Sequence, residues 1–405
     1  GDRIGGDAGQ APGPAIPNPN RRMKMHAVNA PRALLALVAV GTLTTGLQAS
    51  DRYDNQLEVP YEYPTINKAI SAADADDVIL VYPGDYTEDL LIESSVTIRG
   101  VTVDGRRPTL YNDRDEHRIE GWWYGRRPTA NFTNMNFKRH SGYTRARKTG
   151  FSAAFAIVNF DRCTFEGLLY ESSDEYGSGN TSFGGAVRIS RSDGRFTSCS
   201  FTRNKAVSRG TEGNAYGGAI EAYQSRLEVE HCTFTLNQAR VELASPRQYV
   251  YSQAQGGAIF CSDSRVTLQH NNFYNNLTVM EQTEGRSVYS TKTYSQGGAV
   301  ALSGCDIREF YKCYLFNNEA RNRILGGTST GGALEVAHYD SRNLALLEIE
   351  SCFFGFNMAD AGGAIFDNTD TKMILANCTF YRNTPRQVAA DFVWEYGCRW
   401  FELDF

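Results

Sequence analysis

Several features are scarce in this sequence of 405 residues. It has only 12 proline, 6 histidine and 4 tryptophan residues. It has no excess of positive charge, because 46 acidic residues outnumber 41 lysine and arginine residues and give a formal net charge of -5. A nucleic-acid partner is therefore not expected on electrostatic grounds. The sequence also lacks Cys-x-x-Cys and His-x-x-x-His spacing, so it offers no zinc motif, and no metal site is assigned.

Long apolar runs are scarce as well. The apolar stretch at 33–47 follows a basic segment, and it is shorter than the roughly 20 residues that a membrane span needs. This layout predicts a signal peptide at 23–49, preceded by a disordered or upstream leader at 1–22. An uncleaved N-terminal anchor is the alternative. We expect a secreted or cell-surface protein whose mature chain has no transmembrane span. At the cell surface, we expect it to be associated with an outer membrane.

Glycine is abundant instead, with 38 residues and no collagen-like period of three. Twelve of these glycines belong to six Gly-Gly-Ala motifs, each followed by an aliphatic residue. The motifs begin at Gly184, Gly217, Gly256, Gly297, Gly331 and Gly362. Since the intervals are 31 to 41 residues, the excess of glycine reflects an internal repeat.

A second motif, Cys-x-Phe-x-x-Asn, lies between successive glycine motifs. Its cysteines, including a weaker first copy, are Cys163, Cys199, Cys232, Cys313, Cys352 and Cys378. Its asparagines, including two degenerate copies, are Asn204, Asn237, Asn276, Asn318, Asn357 and Asn383. Alternating apolar residues precede each copy, which predicts three short strands per repeat. Such repeats bury a core only by stacking as a solenoid, in which the Cys, Phe and Asn positions form ladders.

The repeat also predicts local roles for its residues. The Gly-Gly pair indicates a special backbone conformation or a close approach between chains. The asparagine fits a left-handed turn, and loops of variable length between it and the next Gly-Gly pair project from one edge. The ladder cysteines are close enough for disulfide bonds but also pack well as buried thiols, and the sequence leaves both states open. An amphipathic helix within 63–73 is expected to cover the open end of the solenoid.

These motifs resemble known families. The segment 65–100, TINKAISAADADDVILVYPGDYTEDLLIESSVTIRG, resembles the opening of right-handed parallel β-helix proteins of the pectin-lyase-like superfamily. The Gly-Gly-Ala-aliphatic and Phe-x-x-Asn motifs resemble the repeats of chlamydial-type polymorphic outer membrane proteins. The resemblance implies a single right-handed parallel β-helix of about nine coils over 60–390, with a helical N-terminal cap. The aromatic segment 391–405 is expected to cap the last coil, unless the chain ends early.

Tyrosines in the variable loops are the weak candidates for binding. They are Tyr170, Tyr176, Tyr216, Tyr249, Tyr251, Tyr289 and Tyr294. Because the loops leave the same corner of successive coils, these tyrosines form an aromatic strip for sugars or protein partners, or they pack the loops onto the helix. His231 and His270 occupy equivalent turns in adjacent coils and are expected to be neighbours, either as surface residues or as a metal-binding or pH-sensing pair.

The leading hypothesis for function is a non-enzymatic binding or adhesion protein. Its partner would be a polysaccharide, a host or cell-surface glycan, or a protein. One alternative, implied by the superfamily, is a pectate-lyase-like lyase or a hydrolase, for which calcium would be the cofactor. The acidic loop clusters Asp113–Glu116 and Glu171–Glu175 are interpreted as solvated charge, so no catalytic residue is assigned. A structural surface or filament protein is the other alternative.

Overall fold

A computed structural model of the chain describes residues 56–74, 77–112, 116–122, 125–140, 148–173, 180–244, 251–284, 292–337, 347–369, 372–385, 387–390 and 393–401. All of these residues belong to one compact unit, Arg52–Phe405. The predicted leader and signal peptide lie outside the described residues.

Three long sheets of parallel strands form a β-helix, as predicted. Sheet 1 has 12 strands: Gln56–Val59, Val78–Val81, Val96–Gly100, Thr129–Thr133, Ile157–Asp161, Asp193–Thr197, Arg226–Glu230, Arg265–Gln269, Asp306–Tyr311, Leu347–Glu350, Met373–Ala376 and Val393–Tyr396. Sheet 2 has 11 strands: Asp85–Thr87, Thr109–Tyr111, Asn136–Lys138, Thr164–Glu166, Ser200–Thr202, Thr233–Thr235, Asn272–Tyr274, Tyr314–Phe316, Phe353–Gly355, Thr379–Tyr381 and Arg399–Phe401. Sheet 3 has 10 strands: Leu91–Ile92, His117–Glu120, Phe151–Ala154, Val187–Ser190, Ile220–Tyr223, Ile259–Ser262, Val300–Ser303, Leu334–Ala337, Ile365–Asn368 and Val388–Ala389.

The β-helix is longer than the repeat motifs suggest. Its strands extend from Gln56 to Phe401, beyond the expected limits of 60 and 390, and sheet 1 has 12 strands where about nine coils were expected. The difference arises because the first coils lack the Gly-Gly-Ala motif, so counting the motif misses them. At the other end, Trp400 adds to sheet 2 and stacks on Phe380 with ring centroids 4.2 Å apart.

The expectation that the variable segments are loops is wrong for five coils. There the chain forms two further parallel sheets between the end of the sheet 2 strand and the next Gly-Gly pair. Sheet 4 contains Leu169–Ser173, Lys205–Gly210, Gln238–Ala244, Leu277–Glu284 and Glu319–Asn322. Sheet 5 contains Asn180–Phe183, Gly213–Tyr216, Ser252–Gln255, Thr293–Gln296 and Thr328–Thr330. We call these two sheets together the fin.

The fin has a small core of its own. Sheets 4 and 5 pack face to face through a buried cluster that includes Ala206, Ala239, Val241, Ala254 and Met280. Four of the eight side chains in this cluster are alanine. Because neighbouring coils pair strand by strand, backbone hydrogen bonds continue through the fin and hold segments that the sequence pattern alone marks as loops.

The main core consists of ladders of inward side chains, as the repeat predicts. Phenylalanine forms the clearest ladder in sheet 2, where the rings of Phe201 and Phe234 stack with centroids 4.7 Å apart and planes 2° apart. The N-terminal helix, α1 (Ile66–Ala72), begins after Thr65, whose side chain accepts a hydrogen bond from the Lys68 backbone. It buries Ile66, Ala69 and Ile70 against the first strands of sheet 1. Within the described residues no helix is long and apolar enough to cross a membrane.

The ladder asparagines are buried, and their predicted role in the turn is corrected. The left-handed residue is the one before each asparagine, with φ between 51° and 58°. At one coil, Asn276 Oδ1 accepts hydrogen bonds from the backbone N and Nδ2 of Asn237, at 3.1 and 3.0 Å. Its Nδ2 donates to Phe234 O and Asn318 Oδ1, both at 3.0 Å. The asparagine therefore satisfies buried polar groups of both neighbouring coils.

The cysteines form a second ladder at the preceding corner, and all nine are free thiols. The structure thus favours the thiol alternative. The ladder is interrupted by Asn271, whose Oδ1 accepts a hydrogen bond from Cys232 N at 2.9 Å, as Cys232 Sγ does from Cys199 N at 3.3 Å. At this corner the thiol or amide side chain therefore accepts a hydrogen bond from a backbone N–H of the previous coil. Burial raises the pKa of the Cys232 thiol well above its usual value, which keeps the thiol protonated.

Both predicted uses of the Gly-Gly pair occur. The first glycine is left-handed, with φ of 62° at Gly217. The second allows a close approach, because a Cβ atom at Gly218 would lie 2.1 Å from Gly257 O in the next coil. This sharp, side-chain-free corner joins each strand of sheet 5 to the following strand of sheet 3, and it makes the outer faces of these two sheets meet at an angle.

Candidate functional site

The outer faces of sheets 5 and 3 meet along the stack of coils, and several sheet 3 side chains at the junction, among them Glu221, Phe260 and Glu335, are buried. We call this junction the tyrosine–amide groove. Two rows of sheet 5 side chains form one wall. The first row, in register along the stack, is Phe183, Tyr216, Gln255, Gln296 and Thr330. The second row, beside it, is Thr181, Asn214, Gln253, Tyr294 and Thr328. A row of sheet 3 forms the other wall: Arg188, Glu221, Phe260, Ala301, Glu335, Phe366. Equivalent positions recur at about 4.8 Å, the spacing between strands.

Direct contacts join the two walls at the base of the groove. The guanidinium carbon of Arg188 lies 4.1 Å from the ring centroid of Phe183. Tyr216 stacks on Phe260, with ring centroids 4.7 Å apart. These contacts mean that Tyr216 mainly packs the fin against the helix, which was one of the two roles considered for the tyrosines.

A hydrogen-bonded line of polar side chains continues along the base. Gln255 Nε2 donates to Gln296 Oε1 at 2.6 Å, and Gln296 Nε2 donates to Glu335 Oε1 at 2.9 Å. Each link joins one coil to the next. The amides are therefore held in fixed orientations, which a loop would not provide.

The upper part of sheet 5 presents a more exposed polar and aromatic surface. Gln253 Nε2 donates to the Tyr251 hydroxyl at 2.6 Å, and the Tyr216 hydroxyl donates to Gln253 Oε1 at 3.3 Å. Tyr251 is 51 % exposed, and its ring lies 6.0 Å from that of Tyr294 in the next coil. Two neighbouring aromatic rings, one of them held by a buried amide, form a surface suited to a ring-shaped, hydroxylated ligand.

Two buried carboxyl groups lie in the sheet 3 wall, and the sequence analysis did not single them out. Glu221 is 2 % exposed and Glu335 is 1 % exposed. Burial raises the pKa of Glu221 to about 7, although Arg188 Nε, 3.4 Å from its Oε2, favours the charged form. Burial raises the pKa of Glu335 to about 8, against the hydrogen bond from Gln296. In the sequence, each of these glutamates directly follows a Gly-Gly-Ala-aliphatic motif and faces outward from its strand. The other coils have a neutral or basic residue at this position.

The spacing of these carboxyl groups does not match that of a glycosidase pair. Glu221 and Glu335 are separated by three strand steps in sheet 3, or about 14 Å at about 4.8 Å per step. Glycosidase carboxyl groups lie roughly 5–9.5 Å apart. Asp367 in the next coil is in register with the inward Val336 and accepts a hydrogen bond from Thr369 at 2.6 Å.

The other tyrosines predicted as site residues are not part of the described surface of the tyrosine–amide groove. Tyr170 is in register with Ala206 on the core-facing side of sheet 4, and burial raises its pKa. The predicted site residues Tyr176, Tyr249 and Tyr289 lie outside the described residues, as do Asp174 and Glu175. Glu171 is buried and ion-paired with Arg209, so the prediction of solvated loop charge is wrong for this residue.

The two histidines are neighbours, as expected. The rings of His231 and His270 stack with centroids 4.7 Å apart on the surface of sheet 1's corner. Glu230 Oε1 lies 3.6 Å from His231 Nε2. Among the residues that the structure describes, no group of three or more His, Cys, Asp or Glu side chains is arranged to hold a metal ion.

Comparisons with known proteins give no family assignment. No protein-family model matches the chain, and no curated protein matches it. Two solved structures align over most of its length. One is the catalytic domain of a GH87 alpha-1,3-glucanase in complex with nigerose, at 8 % identity and a TM-score of 0.23, covering 88 % of this chain and 70 % of that one. The other is tailspike protein 3 of bacteriophage CBA120, at 12 % identity and a TM-score of 0.22, covering 82 % of this chain and 58 % of that one. The assignment as a parallel β-helix rests on the strand pairing described above.

Proposed function

We propose that this chain is a carbohydrate-binding adhesion protein that holds an extended, neutral glycan along the tyrosine–amide groove. The observation that carries this proposal is the exposed Tyr251, which lies beside Tyr294 and is held by a hydrogen bond from the buried Gln253. Tyrosine rings stack on the C–H faces of sugars, and amides match sugar hydroxyls because each carries both donors and an acceptor. The repeat along the groove suits a polymer better than a small molecule.

Binding without cleavage is the form of the proposal that the carboxyl groups support. A hydrolase needs two carboxyl groups about 5–9.5 Å apart, whereas Glu221 and Glu335 are three coils apart. A carbohydrate-active lyase or hydrolase is the competing function. The proposal extends to family and location: a secreted or surface-displayed β-helix with repeats of the polymorphic outer membrane protein type. The support is that residues of the two motifs repeat their contacts from coil to coil. Gly218 and Gly257 each lie against the glycine carbonyl of the next coil, and Asn237 and Asn276 make equivalent hydrogen bonds.

Measuring affinity for a panel of neutral glucan, galactan and mannan oligosaccharides tests the proposal. We expect one class to bind, and the Tyr251→Ala and Tyr294→Ala variants to weaken that binding by about tenfold each, because aromatic contacts are typical binding hot spots. Tyr396→Ala is the matched control, since Tyr396 is 74 % exposed in the last coil, outside the groove.

Two results would overturn the proposal. One is an affinity that the groove variants and the control change equally. The other is the release of new reducing ends or unsaturated products from a bound glycan, with or without calcium, which would establish the enzyme instead.

A further inference from the structure

A depression lies on the other side of the fin from the tyrosine–amide groove. It occupies the corner where sheet 2 passes into sheet 4 and has a volume of about 450 Å³, within the range of roughly 300–1,000 Å³ of small-molecule sites. Its lining includes Arg139, Leu169, Arg203, Lys205, Leu236 and Gln238. We call it the basic depression.

The charge of this depression is opposite to that of the whole protein. Arg139, Arg203 and Lys205 line it, and none of its described lining residues is acidic. The acid beside it, Glu166, has Lys138 Nζ at 2.8 Å and Arg203 at 3.8 Å. Arg203 therefore shares the Glu166 carboxylate with Lys138, and Lys205 adds a further cation to the lining, on a chain whose net charge is -5. Such a local reversal of sign concentrates anions at the surface.

A second, polar depression of about 310 Å³ continues from the first. Its lining includes Asn136, Thr164, Ser200 and Thr202 on the outer face of sheet 2, together with the ion-paired Lys138 and Glu166. The two are adjacent along the chain, because Thr202 lines the polar one and the next residue, Arg203, lines the basic one. A row of hydroxyl and amide groups thus leads directly to the cationic corner, and such a row pairs with the hydroxyls of a sugar.

We propose that this double depression binds a carbohydrate that carries a sulfate or phosphate ester. The ester would be held by Arg139, Arg203 and Lys205, which approach from two coils and offer charge-assisted hydrogen bonds to a tetrahedral oxyanion. The exposed side of Leu236, which is 38 % accessible, packs the C–H face of the sugar ring. The sugar hydroxyls lie along the polar row. The site is separate from the tyrosine–amide groove and selects ligands by charge.

The test compares three oligosaccharides with the same backbone, one sulfated, one phosphorylated and one unsubstituted, binding to the folded chain. We expect an ester form to bind at least tenfold more tightly than the unsubstituted form, and its affinity to fall as salt is raised from low to physiological concentration. The sulfated and phosphorylated arms identify which ester the site prefers.

A double variant, Arg203→Gln with Lys205→Gln, is expected to reduce the affinity for the ester at least tenfold, since charge-assisted hydrogen bonds are stronger than neutral ones. The matched control is Arg226→Gln with Arg308→Gln, which removes two exposed cations from sheet 1. The proposal is overturned if the three oligosaccharides bind equally or if the control variant loses as much affinity. Tyr251→Ala should leave this affinity unchanged, so a failure here is distinct from a failure of the groove.

Discussion

Gln296 Nε2 donates a hydrogen bond of 2.9 Å to Glu335 Oε1 across the boundary between the fin and the β-helix. The acceptor is a carboxyl group that is 1 % exposed. In the described part of the chain its second oxygen, Oε2, receives no hydrogen bond. A protonated carboxyl group suits this position, because burial disfavours the charged form. The groove therefore contains a group whose charge depends on pH near neutrality.

The first prediction concerns stability against pH. Burial raises the pKa of Glu335 from 4.5 to about 8, so the folded state binds the proton more tightly than the unfolded state. Its contribution is fully present below about pH 4.5 and is lost as pH rises towards 8. The loss is on the order of several kcal/mol, at roughly 1.4 kcal/mol per pKa unit. We expect Glu335→Gln to flatten this decline in denaturant titrations between pH 5 and 9.

Glu348→Gln is the control for that experiment, because Glu348 is exposed on sheet 1. It should leave the pH slope unchanged. Glu221, whose pKa burial raises to about 7, keeps a smaller slope in the Glu335→Gln variant. A variant slope equal to that of the wild type would contradict the assignment of Glu335 as a buried, protonated acid.

The second prediction concerns the asparagine ladder. Asn276→Ala removes four hydrogen bonds that link three coils. It leaves buried donors and acceptors unpaired, at about 1–3 kcal/mol for each unsatisfied group. We expect a loss of about 3 kcal/mol or more in the free energy of unfolding. Asn275→Ala is the matched control, because Asn275 is exposed and left-handed with φ of 54°, and it should cost only about 1–2 kcal/mol.

The third prediction separates close approach from backbone conformation at glycine. A Cβ atom at Gly257 would lie 2.0 Å from Gly298 O, so Gly257→Ala forces the backbones of two coils apart. We expect it to abolish cooperative folding or to lower the melting temperature more than any other single substitution named above. The control is Gly105→Ala, because Gly105, unlike Gly257, is left-handed, with φ of 73°, and has nothing within 4 Å of the added atom. It should cost about 1–2 kcal/mol, and an equal effect of both variants would contradict the proposed contact.

The fourth prediction concerns the nine cysteines, all of which are free thiols. Alkylation of the denatured, unreduced protein should therefore label nine sites by mass spectrometry. In the folded protein, Cys398 should react before Cys232, because Cys398 is partly exposed whereas Cys232 is 0 % exposed. A disulfide between neighbouring ladder cysteines would contradict the thiol assignment.

Cys232 Sγ also accepts a hydrogen bond from Cys199 N, so Cys232→Ala should destabilise the fold more than Cys398→Ala.

Sequence alone determined the coil. Gly218 and Asn276 belong to motifs whose spacing fixes a repeat, and alternating apolar residues fix which face of each strand is buried. These signals are local and periodic, because every coil solves the same packing problem. The sequence correctly indicated a left-handed residue at the corner of the ladder asparagine. The left-handed residue is the one before the asparagine, however, and not the asparagine itself. Asn276 instead makes hydrogen bonds to both neighbouring coils, and such non-local contacts are not visible in a local sequence pattern.

Only the tertiary structure decided the fin and the surfaces beside it. Segments such as Gln238–Ala244 and Ser252–Gln255 form strands because the neighbouring coils supply hydrogen-bonding partners, and such pairing leaves a weak signal within one segment. The buried Glu335 takes its hydrogen bond from Gln296, which is 39 residues away in sequence. The meeting of Arg139 with Lys205 in the basic depression likewise depends on the stacking of coils. The periodic sequence thus specifies the scaffold, whereas contacts between coils determine where charge, amide and aromatic groups gather.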